Sequence, residues 1–178
     1  MVMKKFAILA ITDQGSQLGR RLRQKLTVQS RFQVDLFVPR RLAQSTETGF
    51  GHGKLVETIR TAFRQYDCLI CIMASGIVIR SIAPVIVDKT VDPAVIVMDE
   101  RGHHVISLLS GHVGGANQWT QLVGQLIGAD PVLTTATDTE GVAALDVLAK
   151  NVHGWYPNFK ANTKFINGRL AAGQPVEL

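Results

Sequence analysis

Aromatic residues are scarce in this 178-residue chain: they make up 6% of it, with only two tryptophans and two tyrosines. Nucleic-acid surfaces interleave clustered Lys and Arg with exposed aromatics. No such cluster occurs here, so the net charge of +5 points to a smaller anionic ligand rather than to DNA or RNA. Cysteine is rarer still. Cys68 and Cys71 stand in a C-x-x-C spacing, but "YDCLICIM" reads as a buried strand, in which residues three apart point to opposite faces. A redox pair sits instead at a helix N-terminus, so both cysteines are assigned to the core. Long apolar runs are missing too. The longest, "CLICIMASGIVI" at 68–79, falls short of the roughly 20 residues of a membrane helix. Phe6 to Ile11 is too short for the apolar region of a signal peptide. A cytoplasmic protein without a membrane partner is expected.

What is present is an alternation of short apolar runs and amphipathic stretches. Six strands are expected, at 5–11 ("KFAILAI"), 33–38, 68–73, 93–98, 104–109 and 131–135. Leu18, Leu22 and Leu26 recur at i, i+4 and mark a helix with Arg20, Arg21, Arg23 and Lys25 mostly on its wet face. Further helices are expected over 54–66, over 75–83 with Ser75 as cap, over the stretch from Ala116, over 137–150 with Thr137 or Asp138 as cap, and within 161–173. The Gly-rich stretch 40–53 has no periodicity and reads as an exposed loop. "DERGH" between two β-rich runs predicts a hairpin. The pattern implies an α/β fold: an open three-layer sandwich, Rossmann-like, with a mostly parallel, mixed sheet of about six strands. It is read as one domain over 1–150, with 151–178 the incomplete start of a following region. No internal repeat or linker is seen.

In open α/β sheets, ligands bind beyond the carboxyl ends of the strands. Three strand ends carry small or polar residues and each precedes a helix: "MASG" (73–76), "LLSGHVGGAN" (108–117) and "LTTATDTEG" (133–141). They are expected to share one crevice. Its binding residues would be Ser75, Gly76, Ser110, Gly111, Gly114, Gly115, Asn117, Thr135 and Thr137. The glycines at 111, 114 and 115 do not fit G-x-G-x-x-G, and the lysine of a P-loop is lacking, so a nucleotide fingerprint is not supported. A turn that binds carboxylates is. His112 serves there either as a general acid or base or as a brace for the turn. Asn117 either donates to an oxyanion or caps the helix, and Asp138 is either a base or a cap. Adjacent His103 and His104 seldom face one ion together, and no metal site is expected.

"IMASGIVIRSIAP", "DKTVDPAVIVMDERG", "VISLLSGHVGGAN" and "PVLTTATD" follow one another as in the N-terminal region of the CbiG family of anaerobic cobalamin biosynthesis, which the chain resembles from Leu55 through "GVAALDVLAKN". The resemblance implies a cobalt-precorrin-5A hydrolase, which opens the lactone of a ring-contracted cobalt corrinoid and releases acetaldehyde. The alternative is a corrinoid-binding module that lacks catalysis of its own. It implies an anionic tetrapyrrole as ligand, no cofactor (the cobalt belonging to the substrate), and His112 or Asp138 as the residue that activates water. Members of the family continue into a further C-terminal domain, so such a domain, in cis or in trans, is the expected partner.

Overall fold

A computed structural model describes residues 3–29, 31–135, 144–152 and 154–176. The chain falls into two compact units, Met1–Val132 and Leu133–Leu178.

The first unit is an α/β sandwich. Its elements in order are β1 (Lys4–Ala10), α1 (Asp13–Thr27), β2 (Phe32–Pro39), β3 (Thr48–Phe50), α2 (Leu55–Gln65), β4 (Cys68–Ile72), α3 (Ser75–Ile82), β5 (Ala94–Met98), β6 (His104–Leu109), α4 (Ala116–Ile127) and β7 (Asp130–Val132). The seven strands form one sheet in the order β3-β2-β1-β4-β5-β6-β7. β1 to β5 run parallel, β6 turns back antiparallel to β5, and β7 runs parallel to β6.

The central strands are apolar along their whole length because both faces are covered. Phe6, Ile8, Cys68, Ile70, Ile96 and Met98 pack on the side of α1 and α4, while Leu9, Leu69, Cys71, Val95 and Val97 pack on the side of α2 and α3. Cys68 and Cys71 therefore lie in opposite halves of the core, as three-residue spacing in a strand requires. Burial raises both thiols, Cys71 to about 12. Helix α1 begins at Thr12, whose Oγ1 accepts the Gly15 N–H at 3.0 Å, and it buries Leu18, Leu22 and Leu26.

Two expectations change. The stretch 40–53 is not a plain loop: a 3-10 turn at Arg40–Leu42 leads to the seventh strand, β3. A three-residue strand is too short to show a period of two. Arg20 also leaves the solvated face. Its Nε and Nη2 donate to both carboxylate oxygens of Glu47 at 2.7 and 2.9 Å, and Glu47's side chain is fully buried.

The second unit holds α5 (Leu145–Asn151) and α6 (Phe159–Ala171). Asn167 joins them, accepting the Leu145 N–H at 2.8 Å and donating to Asp146 at 2.9 Å. Tyr156 stacks on Phe159 with ring centroids 5.1 Å apart. The start expected for the 137–150 helix, with Thr137 and Asp138, lies outside the described residues. Among the described residues no helix is long and apolar enough to cross a membrane.

Candidate functional site

The loop between β6 and α4 begins with a disturbance in the sheet. Val95 pairs with Leu109 while Ile96 pairs with Ser107, so Leu108 is one residue too many and β6 bulges. Leu108 and Leu109 consequently both pack toward the α2–α3 core, where strict alternation would place only one. Ser110 follows at φ +58, and Gly115 at φ +88 starts α4. Between them the backbone folds on itself. The N–H groups of Gly115, Ala116 and Asn117 donate to the carbonyls of His112, Ser110 and Gly111 at 3.0, 3.1 and 3.0 Å.

Side chains seal this turn. A Cβ on Gly114 would stand 2.5 Å from Ser110 Cβ, and one on Gly111 would stand 2.7 Å from Asn117 Oδ1. Ser107 Oγ donates to that same Oδ1 at 2.6 Å, tying the strand to the first turn of the helix. Trp119, one turn further on, packs edge-on against Phe6 and Phe32 at 5.3 and 5.6 Å and fixes α4 to the sheet. His112 is half-buried within the turn. Ser107 was not among the residues expected from the sequence. Its alternation with Val105 puts it on the α4 side, but which helix residue it meets is a matter of register.

Of the three strand ends expected to share one crevice, 73–76 and 108–117 do not meet. β6 runs against β4 and β5, so its carboxyl end, level with Val95, lies at their amino ends. Ser75 and Gly76 follow β4 at the other edge of the sheet, about 16 Å away across a five-residue strand. The loop residues Ser110, Gly111, His112, Gly114, Gly115 and Asn117 are brought together, whereas Ser75 and Gly76 are set apart from them. Thr135 belongs to the second unit, and Thr137 and Asp138 lie outside the described residues. Ser75 is not a cap either: it is the first residue of α3, which starts after Ala74 without a side-chain cap bond.

The carboxyl edge has a crevice of its own, about 470 Å³, where the strand order switches between β1 and β4. Thr12, Ser75, Asp99, Glu100 and His104 line it over a floor that includes Ile72, Met73 and Val97. Thr12 Oγ1 donates to Glu100 at 2.7 Å. Asp99 accepts the N–H groups of Arg101, His103 and His104 at 2.8–2.9 Å, which shapes the β5–β6 hairpin turn. Burial pushes its carboxyl up, but these bonds outweigh burial and hold it below the ordinary range. The hairpin expected from "DERGH" is thus present, and the polarity at this edge serves largely to build it.

Comparison with known proteins now bears on this arrangement. Residues 57–138 match the family described as "Cobalamin synthesis G N-terminal". A cobalt-precorrin-5A hydrolase of Salmonella typhimurium is 41% identical over 175 residues, which is 98% of this chain and 48% of that protein. The chain belongs to the CbiG family. A CbiG relative from Priestia megaterium, also named cobalt-precorrin-5A hydrolase, is 36% identical over 84% of this chain and 40% of its own length. A cobalamin biosynthesis protein G homologue from Sulfolobus solfataricus shares the fold, with TM-score 0.58 and 20% identity over 99% of this chain and 50% of that one. The chain spans about half the length of the curated CbiG proteins it matches. The matched CbiG segment runs from α2 past β7 and takes in the glycine loop and, at the carboxyl edge, Ser75, Asp99, Glu100 and His104 but not Thr12.

Proposed function

We propose that this chain is the N-terminal part of a cobalt-precorrin-5A hydrolase, acting in cobalamin biosynthesis. The observation that carries the reading is the 41% identity, over nearly the whole chain, to a protein of that name. Water adds to the lactone carbonyl of a ring-contracted cobalt corrinoid. The acyl C–O bond breaks to leave a carboxylate and an alkoxide on the two-carbon fragment. That alkoxide becomes the carbonyl of acetaldehyde as the C–C bond holding the fragment to the macrocycle breaks, the electron pair of that bond passing into the conjugated ring. Such a reaction needs a group that takes a proton from water and donors for the oxyanion. His112, held in the glycine loop, is the acid–base group proposed for this chain, with Asp138 as the alternative base. The loop around Ser110, Gly111, Gly114, Gly115 and Asn117 supports the substrate's acidic periphery, which suits a chain of net charge +5. Thr135 and Thr137 are proposed as further substrate contacts.

Cobalt enters as part of the substrate, and the chain needs no cofactor of its own. Because the curated relatives are about twice as long, their remaining half, in cis or in trans, completes the enzyme. The test is acetaldehyde release from cobalt-precorrin-5A by this chain, alone and supplemented with the remaining half of a relative. Release that depends on His112 is expected, and His112→Ala should slow it at least a hundredfold. Tight corrinoid binding without acetaldehyde in either mixture would reduce the chain to a binding module.

A further inference from the structure

Ser110 carries two penalties that packing does not explain. It is a non-glycine residue at φ +58, where the Cβ crowds the backbone. Its hydroxyl, on a residue nine-tenths buried, has no hydrogen-bond partner among the described residues. Buried hydroxyls ordinarily find one. Alanine would remove the unpartnered group, and glycine would remove both penalties. Strain and unsatisfied polarity at one residue are a signature of function rather than of stability.

The hydroxyl also stands where an anion would be welcome. Ser110 Cβ packs against Gly114, so its side chain faces into the turn that opens the twelve-residue α4. Its own carbonyl receives the Ala116 N–H, at the positive end of that helix. The segment 111–114 lies between two left-handed residues, Ser110 and Gly115.

Taking the identity of the ligand from the hydrolase reading, we infer that Ser110 donates its hydroxyl hydrogen to a peripheral carboxylate of the corrinoid at the α4 N-terminus, which 111–114 admits by swinging about Ser110 and Gly115. In the closed loop the Ala116 and Asn117 N–H groups are held by the neutral carbonyls of Ser110 and Gly111. A carboxylate replaces those acceptors with charged ones, which make stronger bonds.

The test uses the whole 178-residue chain and cobyrinic acid, a stable corrin with free peripheral carboxylates, with affinity read by calorimetry. Ser110→Ala and Ser110→Gly are expected to melt at or above the wild-type Tm while binding cobyrinic acid at least tenfold more weakly. Cyanocobalamin, whose peripheral carboxylates are amides, should bind more weakly and respond to neither substitution. A lower Tm for Ser110→Ala would show that the hydroxyl serves the fold, and would overturn the inference. So would unchanged affinity in both variants, a wild-type chain that does not bind cobyrinic acid, or equal losses for the two corrins. Acetaldehyde release with both variants binding normally rejects the role of Ser110 alone. Ser110-dependent binding of cobyrinic acid without acetaldehyde release rejects the reaction alone.

Discussion

The Ser107 hydroxyl and the Asn117 amide oxygen meet at 2.6 Å, joining the end of the bulged strand β6 to the first turn of α4. This bond holds the two sides of the glycine loop at a set distance. Asn117→Ala leaves the part-buried Ser107 hydroxyl without that acceptor, and should lower unfolding free energy by about 1–3 kcal/mol. Urea denaturation of both single variants and the double variant measures it. If the bond matters as described, the Ser107→Ala and Asn117→Ala effects are less than additive.

Glu47 should govern part of the acid sensitivity of the fold. The hydrogen bond from Arg20 holds its carboxyl below the ordinary range against the opposing effect of burial, with the Gln44 N–H assisting. A depressed carboxylate stabilises the fold above its unfolded pKa, about 4.3, and that contribution is lost as pH falls through the lower native value. Stability is therefore expected to fall below about pH 4. Glu47→Gln should flatten that limb and cost about 2 kcal/mol at pH 7, the residual solvent access of Arg20, whose side chain is 21% exposed, keeping the loss below that of a deeply buried pair. Denaturation midpoints between pH 3 and 7 check both points.

The two cysteines should be silent in the native state. Each is fully buried, and burial raises both thiols far from thiolate formation at neutral pH. A thiol-disulfide reagent is expected to react with neither in buffer and with both in denaturant. Rapid labelling of either in the folded protein would contradict this placement.

Glycine substitutions should separate by backbone geometry. Gly115 sits at φ +88, with Trp119 Nε1 2.9 Å from where a Cβ would stand, so Gly115→Ala should destabilise by about 1–2 kcal/mol or more. Gly168 lies inside α6 with open space around it and an ordinary φ. There alanine should stabilise by up to about 1 kcal/mol. Thermal melts of the pair give opposite signs.

Much of the architecture lies open to a reader of the residues alone, because its cause is local. The two-residue period of β1, β4 and β5 assigns alternate side chains to two cores, and places Cys68 and Cys71 in different ones. Leucine spacing marks α1, and "DERGH" marks the hairpin. The glycine loop was also recognisable, since its small residues concentrate where a strand gives way to a helix.

The hairpin marked by "DERGH" already sends the end of β6 to the edge opposite Ser75, so a crevice shared by the two is incompatible with that local signal. Register is different in kind, and it chooses Asn117 as the partner of Ser107. The burial of Glu47 follows from β3 joining the sheet beside β2, which brings its loop under Arg20. Such contacts arise from chain closure over long separations, and no window of neighbouring residues contains their energies.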